Sequence, residues 1–200
     1  MNRPRILFAH GAGAGSASDW MQRWAARLDA VGDVEAFDYP YMQAGRRAPD
    51  RFPKLLEAHR AALHTANAAG RHQRVVLAGK SMGSRIGCHL ALEEPVAAVI
   101  CFGYPLMPLG RPDKIRDEVL LRQLLPVLFL QGRRDRMCPF DALADVRPQM
   151  RARSELFVVD GGDHSLTLSK TAMKQRGITQ EESDAEVFAA LSTFLADVLS

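Results

Sequence analysis

Six short runs of apolar and β-branched residues alternate with longer helix-forming stretches along the chain. The predicted strands cover residues 5–10, 34–38, 73–78, 96–102, 127–131 and 155–159. The predicted helices cover residues 19–30, 53–69, 82–94, 113–125 and 185–199, with Gly70 as the stop signal of the second. Strands that alternate with helices favour a parallel sheet covered on both faces. The pattern therefore predicts an α/β fold with a mostly parallel six-stranded sheet.

Composition and charge narrow the class of protein. No linker or repeat divides residues 1–200, which are expected to form a single domain large enough to bury a core. The net charge is only +3 and the basic residues are scattered, apart from Arg133, Arg134 and Arg136, which argues against a nucleic-acid partner. No run reaches the roughly 18 apolar residues of a membrane span. Three cysteines without CxxC spacing favour a reducing compartment, so a soluble cytoplasmic protein is expected.

The segment Gly79-Lys80-Ser81-Met82-Gly83 matches the pattern G-x-S-x-G between a predicted strand and a predicted helix. In that context the serine occupies a sharp turn with strained backbone angles, and the flanking glycines relieve crowding. Its hydroxyl group then stands clear of the sheet, near the positive end of the following helix. The pattern favours Ser81 as a nucleophile. The alternative interpretation is a Gly-Ser turn that only opens a helix.

A serine nucleophile needs an adjacent base that is held by a third group. His164 follows the last predicted strand and Asp135 follows the preceding one, so both are expected at the same edge of the sheet as Ser81. The chain order of the three matches the order of nucleophile, acid and base in one large α/β fold. Three other aspartates stay open as candidates for the acid: Asp163, Asp160 and Asp113.

The remaining histidines fit a catalytic role less well. His10 ends the first predicted strand and is expected to support the loop that follows it. His89 lies in the helix after Ser81 and is expected to be structural. Three histidines on or just beyond the second predicted helix are expected to face solvent: His59, His64 and His72.

A glycine-rich run, Gly11 to Gly15, follows the first predicted strand. An oxyanion hole needs two backbone N–H groups, one from such a loop and one from the residue after the nucleophile. Ala12 is the predicted loop donor and Met82 the predicted second donor. Losing one such donor typically slows acyl transfer by about 100- to 1000-fold.

Two nucleotide-binding motifs fail at particular positions. A P-loop that ends at Gly79-Lys80-Ser81 would need glycine at position 74, which is Arg74. A dinucleotide site built on Gly11 and Gly13 would need a third glycine where Ser16 stands. It would also leave the order of Ser81, Asp135 and His164 along the chain unexplained. No cluster of His, Cys and Asp has metal-ligand spacing. Neither a cofactor nor a metal ion is expected.

Several side chains are expected near the mouth of the site. Four of them are cationic: Lys80, Arg133, Arg134 and Arg136. These charges would attract an anionic substrate, although such charges are more often simply solvated. Cys138 lies three residues beyond Asp135 and is expected to be a packed thiol. Residues 104–125 and 166–182 are long enough to shape a substrate pocket.

Four segments together resemble the α/β-hydrolase superfamily: His10-Gly11, Gly79 to Gly83, Gln131 to Asp135, and Gly162-Asp163-His164. Two further segments, 10–15 and 102–106, make the chain similar to the small, lid-poor branch near the dienelactone hydrolases. Within that branch it resembles bacterial relatives of the hydrolase-like subunit of the non-specific-lethal chromatin complex. The resemblance implies a minimal hydrolase fold without a large lid and without the first two strands of larger members. Dienelactone hydrolases use a cysteine nucleophile, so Ser81 argues against carrying over their substrate.

The expected function is hydrolysis of a small ester or thioester through an acyl-enzyme. Ser81 would be the nucleophile, His164 the base and Asp135 the group that orients the base, with a small molecule as the partner. Some members of the narrower group serve as scaffolds. The alternative function is therefore a binding or scaffold protein that keeps the hydrolase fold without catalysis.

Overall fold

The computed structural model describes residues 3–69, 74–111 and 114–200. These residues contain one six-stranded sheet, formed by β1 (Arg5–Ala9), β2 (Asp33–Phe37), β3 (Val75–Lys80), β4 (Ala98–Phe102), β5 (Val127–Gly132) and β6 (Ser154–Val159). The strand order is β2-β1-β3-β4-β5-β6, and every neighbouring pair is parallel. The predicted α/β fold is confirmed.

The described residues also contain eight α-helices and one 3-10 turn at Arg147–Gln149. The helices are α1 (Asp19–Leu28), α2 (Pro40–Gln43), α3 (Phe52–Ala69), α4 (Met82–Leu90), α5 (Glu118–Leu121), α6 (Phe140–Val146), α7 (Lys170–Arg176) and α8 (Gln180–Val198). The short helices α2, α6 and α7 were not predicted, because four to seven residues make too few turns to show a period. The predicted helix over 113–125 is reduced to α5.

The ends of two predicted elements differ from the structure for local reasons. Helix α8 begins at Gln180 instead of residue 185, because Thr179 and Glu182 form a reciprocal capping box. Helix α4 ends at Leu90, several residues before Pro95. Three residues for which the sequence made predictions lie outside the described residues, namely Gly70, His72 and Asp113, as does position 73 at the start of the third predicted strand.

Side chains of successive strand residues point to opposite faces of the sheet, and each face has its own core. On one face Phe8 and Phe102 pack with Trp24 of α1, and α8 contributes further apolar side chains. On the other face Leu7 and Leu77 pack with apolar residues of α3, α4, α5 and α6. Both faces of the sheet are therefore buried, which explains why the strands read as almost continuous apolar runs.

Strand β1 lies between β2 and β3, so the chain leaves it towards one side of the sheet and later returns on the other. At such a switch point the loops that follow the two strands diverge and leave a crevice at the carboxyl edge. The glycine-rich loop after β1 and Ser81 after β3 border this crevice. None of the helices in the described residues has the length and apolar character needed to span a bilayer.

Candidate active site

Ser81 occupies a sharp turn between β3, which ends at Lys80, and α4, which begins at Met82. Its backbone angles are φ 50° and ψ −111°, in a region that residues other than glycine rarely adopt. The N–H of Ser81 donates to the carbonyl of Phe102 at 2.9 Å, which ties the turn to β4. The surrounding hydrogen bonds therefore hold a strained serine with its hydroxyl at the edge of the sheet.

The two glycines of the motif allow backbone segments to approach closely. A Cβ atom on Gly79 would lie 2.3 Å from the backbone nitrogen of Ser84, in the first turn of α4. A Cβ atom on Gly83 would lie 2.4 Å from the carbonyl oxygen of Ala9, at the end of β1. Since real Cβ contacts are much longer than this, only glycine fits at either position. Helix α4 is thereby packed directly against the strands that carry the crevice.

The structure brings Ser81, His164 and Asp135 into one chain of contacts. The imidazole Nε2 of His164 lies 2.8 Å from Ser81 Oγ, and its Nδ1 lies 2.7 Å from Asp135 Oδ2. The Asp135 side chain is fully buried, whereas the His164 side chain is 26% exposed. The imidazole therefore bridges an accessible hydroxyl group and a carboxylate that is shielded from water.

The carboxylate of Asp135 is held by further donors. The side-chain amide of Gln131 donates to Oδ2 at 2.5 Å, and the backbone N–H of Met137 donates to Oδ1 at 2.7 Å. Gln131 also accepts the N–H of Tyr104 at 3.1 Å through its own carbonyl oxygen. Gln131 was not predicted to have a role, although a polar amide at the end of an apolar strand was a usable signal. These contacts fix the carboxylate towards the imidazole.

The other described aspartates near this edge have different partners. Asp163 Oδ1 accepts the N–H of Ser165 at 2.7 Å and that of Thr167 at 3.0 Å, which closes the loop that carries the histidine. Asp160 forms an ion pair with Arg133 at 2.5 Å. Neither Asp163 nor Asp160, the two rivals within the described residues, forms a hydrogen bond or ion pair with the His164 ring. The geometry favours Asp135 as the acid.

The remaining histidines divide into buried and exposed groups. His10 is fully buried, its Nδ1 lies 2.6 Å from the Gly11 carbonyl, and its Nε2 accepts the N–H of Tyr39. Burial lowers the pKa of His10, so the neutral ring supports the loop, as expected. His64 is exposed and lies 3.2 Å from Glu94. His89 is half-buried against the ring of Phe52.

The prediction that His59 faces solvent is wrong. Its side chain is fully buried on the inner side of α3, where Nδ1 lies 3.1 Å from the hydroxyl oxygen of Tyr39. Burial lowers the pKa of His59 to about 3, so the ring is neutral at physiological pH. Helical periodicity alone did not show which side of α3 would meet the sheet.

The two predicted oxyanion donors border the nucleophile. Ala12 lines the crevice beside Ser81, and Met82 is the first residue of α4, where an N–H group has no partner within the helix. Within the described residues neither N–H group donates a hydrogen bond. The hydroxyl group of Tyr41 donates to the carbonyls of Gly11 and Ala12 and so fixes the loop. Tyr41 was missed because α2, on which it lies, was not predicted.

The crevice contains a cavity of about 490 Å³ that reaches Ser81 and His164. Its large apolar and aromatic side chains come from α1 and from two loops: Trp20, Met21, Leu109 and Met137. Residues 104–125 contribute Leu109 to its lining, whereas no lining residue comes from 166–182. The three arginines expected near the mouth are not among the residues that line it, and Arg133 is paired with Asp160.

Lys80 is the cationic residue of the cavity lining. Its ammonium group donates to the backbone carbonyl of His164 at 2.5 Å and lies 5.2 Å from the centroid of the Trp20 ring. Burial lowers the pKa of Lys80 to about 8, although the nearby carboxylate of Asp135 acts in the opposite direction. The Cys138 thiol is buried, and burial raises its pKa to about 12, as fits a packed thiol.

Comparison with known proteins identifies the family. A family model described as an alpha/beta hydrolase domain matches residues 2–196. The chain belongs to this family. A serine hydrolase homologue from Coxiella burnetii has the same fold as this hydrolase, with a TM-score of 0.72 and 19% identity over 100% of this chain and 86% of that one. A dienelactone hydrolase from Anabaena variabilis gives a TM-score of 0.70 and 19% identity over 98% and 87%.

A third relative is matched through sequence. Protein sumv-2 of Caenorhabditis elegans is 37% identical to this hydrolase over 91 residues, which make up 44% of this chain. The same region makes up only 8% of that protein, so this chain matches a small part of a much longer relative. The predicted α/β-hydrolase membership is confirmed by the family match, and the two solved structures support the fold.

Proposed function

We propose that this hydrolase cleaves a small ester or thioester through an acyl-enzyme formed on Ser81. The observation that carries the proposal is the chain of contacts from Ser81 Oγ to His164 Nε2 at 2.8 Å and from His164 Nδ1 to Asp135 Oδ2 at 2.7 Å. This chain opens into a cavity of about 490 Å³. A serine activated in this way is the usual nucleophile for acyl transfer.

The first half of the reaction forms the acyl-enzyme. His164 Nε2 takes the proton of Ser81 Oγ as the oxygen attacks the substrate carbonyl, and the carbonyl oxygen becomes an oxyanion. The N–H groups of Ala12 and Met82 donate to that oxyanion. Asp135 stabilises the imidazolium, which then gives its proton to the departing alcohol or thiol. The carbonyl re-forms as the ester of Ser81.

The second half repeats the sequence with water. His164 takes a proton from a water molecule, whose oxygen attacks the acyl carbon, and the same two N–H groups hold the new oxyanion. The C–O bond to Ser81 then breaks, and Ser81 recovers its proton from the imidazolium. The products are a carboxylic acid and the free enzyme, and no external oxidant, reductant or cofactor takes part.

The lining of the cavity supports an apolar acyl group of short to medium length. Trp20, Met21, Leu109 and Met137 would contact such a chain, and a volume of about 490 Å³ is in the range of small-molecule sites. Leu109 is 67% exposed, so the cavity is bounded on that side by a loop. An accessible mouth of this kind favours substrates that need no lid to hold them.

A fluorophosphonate probe tests the nucleophile directly. The wild-type protein is expected to form a covalent adduct at Ser81, whereas Ser81→Ala does not, as measured by intact-protein mass spectrometry. Ser18→Ala is the matched control, because Ser18 lines the same cavity and its hydroxyl makes no helix-capping hydrogen bond. Absence of labelling in the folded wild type, or equal labelling of Ser81→Ala, would contradict the proposal.

The same experiment separates catalysis from a scaffold role. A protein that only keeps the hydrolase fold would remain unlabelled while retaining its far-ultraviolet circular dichroism spectrum. If labelling occurs, a panel of acyl esters and thioesters of increasing chain length then measures the acyl preference. A preference that shifts when Leu109 or Met137 is replaced by alanine would support the assignment of this cavity as the acyl site.

A further inference from the structure

A second cavity, of about 620 Å³, lies between α4 and the segment that leads to α5. We call it the cationic groove. Its charged and ionisable lining residues are Arg85, His89, Arg111, Lys114, Arg116 and Glu118. Four of these side chains are cationic and one is a carboxylate. Among the described lining residues cations therefore outnumber carboxylates, whereas the cavity at Ser81 is mainly apolar.

Three of the cations lack an anionic partner within the described residues. No carboxylate there lies within ion-pair distance of Arg85, Lys114 or Arg116. The guanidinium group of Arg85 instead lies over the ring of Phe52, 5.5 Å from its centroid. Elsewhere on the surface arginines are commonly paired, as Arg60 is with Glu94 at 3.0 Å. Like charges that share a cavity repel one another unless an anion binds between them.

Burial first, and neighbouring cations second, shift the pKa values of two lining residues. Burial and the charge of Arg85 both lower the pKa of Arg116, whose guanidinium nevertheless stays charged at neutral pH. Burial, together with the charges of Arg85 and Arg122, lowers the pKa of His89 to about 4. The imidazole is therefore neutral at physiological pH and available as a hydrogen-bonding group. Two side chains thus respond to the charge of Arg85.

We propose that the cationic groove binds a phosphate-bearing anion. Guanidinium groups bind phosphate oxygens through paired N–H donors, and a lysine ammonium adds a point charge. A single carboxylate has too few oxygens and too little charge to occupy Arg85, Lys114 and Arg116 together, whereas a diphosphate has enough of both. The volume is also sufficient for a ligand larger than inorganic phosphate alone.

The groove and the cavity at Ser81 share a wall. Pro108 lines the groove and Leu109 lines the cavity, and Arg85 follows Ser81 by one turn of α4. A phosphate in the groove has two possible sources. In the first case it belongs to the leaving group of the substrate, and this case rests on the proposed hydrolase function. In the second case it is a free anion that binds beside the active site.

Isothermal titration calorimetry with inorganic pyrophosphate, on the full chain at low ionic strength, tests the groove itself. We expect saturable binding to the wild type and at least about tenfold weaker binding to Arg116→Gln, which loses a charged hydrogen-bond donor. The matched control is Arg151→Gln, which removes the same charge from an exposed position outside the groove and should change the affinity by less than about twofold.

Two outcomes would overturn the proposal. One is the absence of saturable pyrophosphate binding to the wild type, and the other is equal weakening in Arg116→Gln and Arg151→Gln. Lys114→Gln provides a second test on an exposed side chain, and it should also weaken binding. Ser81→Ala should bind pyrophosphate as the wild type does, which keeps this test independent of catalysis.

Steady-state kinetics then distinguish the two sources of the phosphate. The substrates are acetyl-pantetheine and its terminally phosphorylated form, which carry the same thioester. If the phosphate belongs to the leaving group, Arg116→Gln should raise KM about tenfold for the phosphorylated thioester only. If the phosphate is a free anion, the two thioesters should have equal KM values, both in the wild type and in Arg116→Gln. Failure to hydrolyse either would count against the proposed function and would leave the calorimetric result unaffected.

Discussion

The cavity at Ser81 and the cationic groove border the same loop, at Leu109 and Pro108, but they are built differently. At the Ser81 site the polar groups stand on turns that follow β3, β5 and β6, namely Ser81, Asp135 and His164. In the groove they stand at the ends of long, flexible side chains such as Arg85 and Lys114. The backbone therefore positions the polar groups of the Ser81 site, whereas the charges of the groove depend on the conformations of surface side chains.

This difference teaches what each region can do. Acyl transfer needs donors and acceptors held at fixed distances, which a fully buried Asp135 and a glycine-bounded turn at Ser81 supply. Attraction of an anion acts over a Debye length of about 8–10 Å and tolerates mobile side chains. Substitutions in the first region should therefore change rates by orders of magnitude, and those in the second should change affinity by far less.

The largest effect is expected from the acid. Asp135→Asn should lower kcat by about 10⁴-fold, because a neutral amide cannot stabilise the imidazolium form of His164. Asp163→Asn is the matched control and should lower kcat by less than about tenfold, since its amide oxygen can still accept the loop N–H groups. Steady-state ester hydrolysis measures both. The reverse pattern would transfer the role of the acid to Asp163.

The next effect concerns the close approach of α4 to β1. Gly83→Ala would place a Cβ atom 2.4 Å from the Ala9 carbonyl and should lower the free energy of unfolding by about 1–3 kcal/mol. Gly13→Ala in the same crevice meets nothing within 4 Å and should change it by less than about 0.5 kcal/mol. Urea denaturation measures both. Equal stabilities would show that the motif glycine is not required by packing.

A smaller effect is expected from Lys80 and depends on pH. Its pKa is about 8 in the folded protein against an ordinary value of 10.5, so between these values the unfolded chain binds more protons. Stability therefore rises with pH in that window. Relative to Lys80→Met, the wild type should gain free energy of unfolding as the pH rises from about 8 to about 10. Urea denaturation at several pH values measures this, and a constant difference would contradict it.

The smallest effect is expected when the groove is altered and the substrate is neutral. Arg116→Gln should leave kcat/KM for a neutral acetyl ester within about twofold of the wild type, because its guanidinium does not line the cavity at Ser81. Hydrolysis of such an ester measures this. A tenfold loss of kcat/KM would contradict the distinction between the two regions, since it would mean that the groove also positions the reacting groups.

Much of the fold was predictable because local patterns carry it. The apolar runs predicted all six strands, and the strand ends predicted where Ser81, Asp135 and His164 stand along the sheet edge. Their distances of 2.7–2.8 Å agree with that expectation, and their catalytic roles are our proposal. Periodicity did not predict α2, α6 or α7, because each has too few residues to repeat a pattern.

Contacts between distant segments were the part that local patterns did not reveal. Gln131 bridges Tyr104 and Asp135, and Tyr41 holds the carbonyls of the glycine-rich loop. His59 points inwards against Tyr39, contrary to prediction. Each of these contacts depends on which side of a helix or loop meets the sheet. That choice follows from packing of the whole core.

The sequence by itself determined the parallel sheet, the strained turn at Ser81 and the glycines that this turn needs, because each depends on neighbouring residues in the chain. Only the tertiary structure decided that Asp135, and not Asp163, faces His164, and that Arg85 and Arg116 share one groove. These pairs lie 29 and 31 positions apart in the sequence. Their proximity arises from the way separate elements pack, which no local periodicity encodes.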